Sequence, residues 1–127
     1  MKREAVQTAG APAAIGPYSQ AVPGCGFLFC SGPIPIDPSR GNMVDSGIEA
    51  QTEQVLTNLE AVLTAGGATL GSVVKTTVYL VDLKDFPAMN VVYGKFFPED
   101  PPARATVQVV KLPAGALVEI DAVATVE

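Results

Sequence analysis

The stretch that most constrains the fold is the last quarter, ARATVQVVKLPAGALVEIDAVAT, running from Ala103 to Thr125. Its residues alternate with the period of two that a strand with one packed face demands. Arg104, Thr106 and Gln108 share one parity, Val107 and Val109 the other. The segment Leu112-Pro113-Ala114-Gly115 has the composition of a tight loop. Beyond it Val118, Ile120, Ala122 and Ala124 share a face, while Glu119 and Asp121 point the opposite way. The expectation is two strands of a sheet with one apolar face for packing and one face carrying both Arg104 and Glu119. Such a face offers a place to hold a small anion and activate water. If the loop closes a simple hairpin, Lys111 faces Ala116 and Glu119 lies opposite Gln108, offset from Arg104 by on the order of 13 Å along the strand. Either the strands are not direct neighbours or the site borrows groups from two chains, and the second account is the expectation adopted here.

Upstream, the first helix is the clearest element. Ile48, Thr52, Val55, Leu59 and Val62 recur at helical spacing, and Leu56 and Leu63 widen the stripe. Ser46 and Glu49 have capping-box spacing, and Gly66-Gly67 ends the helix. Val73 to Val81 alternates as a strand, with Val74, Val78 and Leu80 on one face. A second helix is expected from about Asp85, its N-cap, with Phe86, Met89, Tyr93 and Phe96 as its buried stripe; Pro98 and Pro101-Pro102 stop it. Earlier in the chain, Phe27 to Ser31 reads as a short strand, Gly10 to Pro17 as a loop, and Gly32 to Asn42 as a proline-rich segment ending in a turn. Strand–helix–strand from Val73 to Lys111 implies a right-handed parallel crossover. Both helices are single-striped and so cover the same sheet face, an α+β layer. The other face would hold Tyr79, Val81, Val110 and Val123, too apolar a set to sit in water, and self-association is the simplest remedy.

At 127 residues, 48% hydrophobic and 17% charged, the chain is expected to form one domain over 1–127 with a packed core. A net charge of −5 and eight scattered basic residues argue against a phosphate backbone as main partner. The absence of histidine removes Ser-His-Asp and Cys-His catalysis and the commonest metal ligand. Cys25 and Cys30 match neither a CxxC motif nor a zinc set and read as small hydrophobes. MKREAVQTAG lacks the apolar core of a signal peptide, and no apolar run reaches transmembrane length, so a soluble cytoplasmic protein is expected.

On the residues alone, Arg104 is either a strand-end arginine pairing with surface carboxylates or a guanidinium fork holding a substrate carboxylate by two parallel bonds. Glu119 is either a solvent-facing residue partnering Lys75 or Lys111, or a group that accepts a proton from water. Ser31 reads as a turn serine with no histidine to activate it, and Gly32 leaves room for a ligand to approach the backbone. Tyr18 is either a turn aromatic or a cleft residue. Asn90 interrupts an apolar helix and could orient a ligand, while Asp121 reads as structural or solvated.

Several motifs in order carry a resemblance to a known family: GPYSQA (Gly16 to Ala21), FCSGPIPIDP (Phe29 to Pro38), the run from Glu49 to Phe97, and the closing strands. The chain resembles the reactive-intermediate deaminases (Rid, or YjgF), small enamine and imine deaminases. The resemblance implies a chorismate-mutase-like fold, a mixed sheet with two helices on one face. It also implies a homotrimer with a central barrel and sites in the clefts between subunits. By the same resemblance Arg104 binds the substrate carboxylate, Glu119 positions water, Ser31 bonds the substrate and Tyr18 lines the cleft; Gly32, Asn90 and Thr106 are taken with them as substrate-binding residues. Thr106 stands where many relatives have cysteine, and Pro33 where glutamine is common; a backbone N–H of Thr106 serves regardless of its side chain. The implied reaction converts 2-imino or enamine carboxylates, such as 2-aminoacrylate, 2-iminopropanoate and 2-iminobutanoate, to 2-keto acids and ammonia, with no metal or organic cofactor. The rivals are an endoribonuclease, against which the acidic composition and missing histidine count, and a non-catalytic trimer that binds keto acids or amino acids.

Overall fold

The computed structural model describes residues 3–126. In chain order the elements are β1 (Ala21–Gly24), β2 (Phe27–Cys30), β3 (Ile36–Asp37), β4 (Asn42–Met43), α1 (Ile48–Ala65), β5 (Val73–Leu80), α2 (Phe86–Phe96), β6 (Ala103–Gln108) and β7 (Val118–Thr125). Five strands form one mixed sheet in the order β1-β2-β7-β5-β6, and β3 and β4 form a separate ribbon. Only β5 and β6, joined through α2, run parallel; the other neighbours are antiparallel. Both helices pack on one face, as their single stripes required. Val55, Leu56, Leu59 and Leu63 of α1 and Met89 of α2 close the core against Leu28, Val78, Leu80, Val118 and Ile120.

Several local expectations need correction. The closing strands are not a hairpin: β5 lies between β6 and β7, because β6 takes the parallel place beside β5 while β7 pairs with β5 and β2. The Ser46–Glu49 capping box does not form. Gly47 is the N-cap, in an extended left-handed-side conformation (φ 100°), with no side-chain cap bond. In β5 a register shift between Val73 and Lys75 exchanges parity at the start of the strand, so that Val74 is 44% exposed and Val73 turns inward with Thr76, Val78 and Leu80. A bulge is the one local event that lets a strand change which residues face the core. In α2 the buried residues are Met89, Val92 and Tyr93, with Phe96 half-buried and Phe86 37% exposed. Val110 lies beyond the end of β6 and is 91% exposed, so it belongs to no sheet face.

The opposite face of the sheet is uncovered. Phe27 and Phe29 project from it, 38% and 50% exposed, beside half-buried Val123 and Tyr79. At the β1–β2 turn Cys25 (φ 53°) and Gly26 (φ 81°) take the two positive φ values of a type I′ hairpin. β1 was not legible in the sequence because Pro23 interrupts it; proline is tolerated there because β1 is an edge strand.

Candidate functional site

The residues singled out in the sequence fall into two groups. The first surrounds Glu119. Gly32 lies two residues beyond the end of β2, and a Cβ built on it would meet Glu119 Cγ at 2.7 Å and Oε2 at 2.8 Å, so the carboxylate lies on the glycine backbone. Together with Ile15, Tyr18, Ser31, Ile34 and Pro113 they line a cleft of about 380 Å³. Ser31 is fixed by two bonds: its N–H donates to Gln20 O (2.9 Å) and its Oγ to Ser19 O (2.7 Å). The Tyr18 hydroxyl accepts from Ile15 N–H at 3.3 Å, and the ring is 51% exposed at the cleft mouth. Burial, and secondarily the charge of Asp121, holds the Glu119 carboxyl above the usual carboxylate range. Burial also pushes the Cys30 thiol up to about 12, with Asp121 adding to it, which suits a small core residue rather than a thiolate.

The second group surrounds Arg104 on β6. Its guanidinium lies over the rings of Tyr93 (4.7 Å to the centroid) and Phe86 (5.4 Å), both on α2. Tyr93 is itself positioned by Thr76, whose Oγ1 is 2.7 Å from the Tyr93 hydroxyl, and Thr76 faces inward by alternation with Val78 and Leu80. Among the described residues no carboxylate pairs with Arg104; the ion pair found there joins Lys84 and Asp82. Stacking on the rings leaves the in-plane N–H groups free to address a planar anion. Asn90 lies between Phe86 and Tyr93 on the same helix face, and its buried Oδ1 has no partner among the described residues. Val109 N–H donates to Leu80 O at 2.8 Å. By the alternation of a parallel ladder, the N–H of Thr106 therefore points away from β5, toward the free sheet edge.

The two groups do not meet within one chain. Arg104 pairs across β5 with Thr76, in register with Ala122, whereas Glu119 is in register with Tyr79 and Val107. Three residues of rise and two strand spacings separate them by roughly 14 Å in the plane of the sheet. They also occupy opposite faces: Arg104 reaches the helices, while Glu119 projects from the uncovered side. The expectation that one face carries both is thus corrected. The parity on each strand was right, but the inference that equal functional interest means a common face had no physical basis once β5 came between them.

Sequence reasoning passed over the side chains that hold the loops of the first group. Gln20 is buried and anchors residues 8–12: its Oε1 accepts from Thr8 N–H (2.8 Å) and its Nε2 donates to Pro12 O (2.7 Å). Asn58 Nδ2 donates to Ile34 O (3.1 Å) and Ile36 O (2.9 Å), and Gln51 Oε1 accepts from Leu117 N–H (2.8 Å). The available signal was two amides at helical spacing on the inward side of α1, where only satisfied polar groups are stable.

A family model described as endoribonuclease L-PSP matches residues 8–126. The chain belongs to that family, the YjgF/Rid proteins. Reactive Intermediate Deaminase A, chloroplastic, of Arabidopsis thaliana is 49% identical over 125 residues, 98% of this chain and 67% of that protein. The 2-iminobutanoate/2-iminopropanoate deaminase of Homo sapiens is 46% identical over 122 residues, 96% of this chain and 89% of that protein. Among solved structures, E. coli TdcF with bound serine superposes with a TM-score of 0.93 at 38% identity, covering 98% of this chain and 99% of that one. The family fold accounts for the two helices on one sheet face. No helix among the described residues is long and apolar enough to cross a membrane.

Proposed function

We propose that this Rid-family chain hydrolyses short 2-imino and enamine carboxylates, such as 2-iminopropanoate (with its tautomer 2-aminoacrylate) and 2-iminobutanoate, to 2-keto acids and ammonia. The observation that carries the reading is the Glu119 carboxylate, half-buried, of raised proton affinity, and seated on Gly32 in the cleft with Tyr18 and Ser31. The names of relatives 46% and 49% identical support the same chemistry.

The separation of the two groups favours a working site assembled from two copies, within a homotrimer. One copy presents Arg104, Asn90 and the Thr106 N–H at its sheet edge; the next presents Tyr18, Ser31, Gly32 and Glu119. Burial of Phe27, Phe29 and Val123 supplies the apolar driving force for association. In the reaction the guanidinium fork holds the substrate carboxylate, turning a bimolecular encounter into an oriented one. Water attacks C2 while one of its protons passes to Glu119, and the C=N electron pair moves to nitrogen. Glu119 returns the proton to that nitrogen, giving the carbinolamine; the hydroxyl proton then passes by way of Glu119 to the same nitrogen, the C–N bond breaks, and ammonia leaves as the C2 carbonyl forms. Imines already hydrolyse in water, so general-base help of about 10²–10⁴ with orientation suffices. This scheme calls on no metal or organic cofactor.

Ammonia release from freshly generated 2-aminoacrylate and 2-iminobutanoate, followed beside analytical ultracentrifugation at micromolar concentration, tests the proposal. Catalysed release by a trimer is expected. Ligand binding without release would favour the binding-module rival, and an active monomer would remove the two-copy site.

A further inference from the structure

The uncovered face carries a polar group that the scheme above does not use. Alternation along β7 places Asp121 on the same face as Glu119, about 7 Å further along the strand. Across the ladder Tyr79 stands opposite Glu119 and Thr77 opposite Asp121. Tyr79 reaches past its own partner: its hydroxyl donates to Asp121 Oδ2 at 2.9 Å, and Thr77 N–H donates to Asp121 Oδ1 at 3.2 Å. Both oxygens of Asp121 are thereby pinned, and its charge is fixed in position. Two carboxylates side by side on a half-buried face repel, and a neutral residue at 121 would relieve that repulsion. The chain instead surrounds the second carboxylate with dedicated donors.

The groups facing Glu119 make the consequence specific. β5 contributes Tyr79, opposite Glu119; Lys75 stands further along, opposite Val123, its Nζ donates to Thr77 Oγ1 at 3.3 Å, and no ion pair joins it to Glu119 or Asp121 among the described residues. On the β2 side Gly32 lies against Glu119 and Phe29 stands further along, opposite Val123, while β6 contributes Val107, in register with Tyr79; none of these carries a charge. In the assembly proposed above, Arg104 of a neighbouring copy also faces Glu119. A guanidinium that close weakens a carboxylate as a base. Asp121 opposes that effect from the other side, and its charge already adds to burial in raising the proton affinity of Glu119.

We propose that Asp121, held by Tyr79 and Thr77, is a positioning residue whose fixed charge drives the proton of the attacking water onto the neighbouring Glu119. It rests on the deaminase reading. Asp121 neither gains nor loses a proton: the water O–H bond breaks, the proton goes to Glu119, and the new O–C2 bond displaces the π pair onto nitrogen.

The test follows the Glu119 carboxyl by ¹³C NMR in the full-length protein, assigned with Glu119→Gln, alongside the acid limb of the kcat/KM profile for ammonia release. In Asp121→Asn both the NMR midpoint and the limb should fall by about half a pH unit or more. In Tyr79→Phe they should stay at the parental pH or rise, because Asp121 keeps its charge and loses a donor. A purely structural role would lower the rate in both variants without moving the midpoint in Asp121→Asn. A midpoint in Asp121→Asn that coincides with the parent overturns the inference. Should that variant fail to fold, Asp121→Ser removes the same charge, and a midpoint there that coincides with the parent overturns the inference equally. The NMR midpoint needs no substrate, so failure of the deaminase reading (no ammonia from the parent) is distinguishable from failure of this one.

Discussion

Replacing Gly32 by alanine should separate the position of Glu119 from the stability of the fold. A methyl there would stand 2.7 Å from Glu119 Cγ, 2.8 Å from Oε2 and 3.0 Å from Cδ, where ordinary contact begins near 3.4 Å. Glu119 Cγ must therefore retreat by about 1 Å to reach a comfortable separation. Cγ is close to the main chain of a central strand, so the movement has to come from χ1. Leaving the rotamer well costs about 0.5–1.5 kcal/mol, and changing wells turns the carboxylate out of the cleft. Gly32 is not among the glycines with positive φ, so its backbone accepts alanine. The stiffer unfolded chain then offsets the strain by about 0.4–1 kcal/mol. The two terms nearly cancel, and the melting temperature should stay within about 5 °C of the parent. Turnover should not survive as well, since a misplacement of about 1 Å in a reacting geometry costs on the order of 10²-fold. Thermal scans and initial rates of ammonia release from 2-aminoacrylate measure the two effects. Gly71→Ala serves as control, since its added methyl meets only Thr69 Oγ1 at 3.6 Å. A Gly32→Ala protein with parental rate and parental melting would refute the assignment of Glu119 as the group that positions water.

Three further outcomes are expected. Arg104→Lys keeps the charge but loses the fork and the flat stacking on Tyr93 and Phe86, so steady-state kcat/KM should drop by at least about tenfold while the trimer persists in ultracentrifugation. Glu119 has a raised proton affinity in the folded chain, so its ionisation opposes folding. The stability it contributes when protonated is present below the unfolded value and lost as pH rises through the folded one. Glu119→Gln should therefore be more stable than the parent in urea titrations at pH 8 and indistinguishable from it near pH 4; equal stability at both would contradict the burial of the charge. Asn58→Ala leaves the Ile34 and Ile36 carbonyls without their donor, and chemical denaturation should show a loss of about 2–4 kcal/mol.

Much of this protein was legible without coordinates because its signals are local. The stripe from Ile48 to Leu63 needs only helical periodicity to declare a buried face, and Gly66-Gly67 ends it by backbone freedom alone. The parity of Arg104 against Val107, and of Glu119 against Ile120, is a property of any extended chain. The motifs from Gly16 to Thr125 were enough to suggest the family. The parallel pairing of β5 with β6 was also legible, from the crossover through α2; what the sequence did not contain was where β7 lies. The loop from Leu112 to Gly115 is as compatible with a hairpin as with a crossing, and strand order is chosen by how β2, β5 and β7 together close over the helices. That choice inserted β5 between Arg104 and Glu119 and turned their side chains to opposite faces. The Val74 bulge is likewise a tertiary decision: an eight-residue strand of alternating character hides a one-residue parity change until Val73 finds the core and Val74 is left outside it. Local periodicity states which residues share a side of an element; only packing, which balances all the elements at once, states which sides meet.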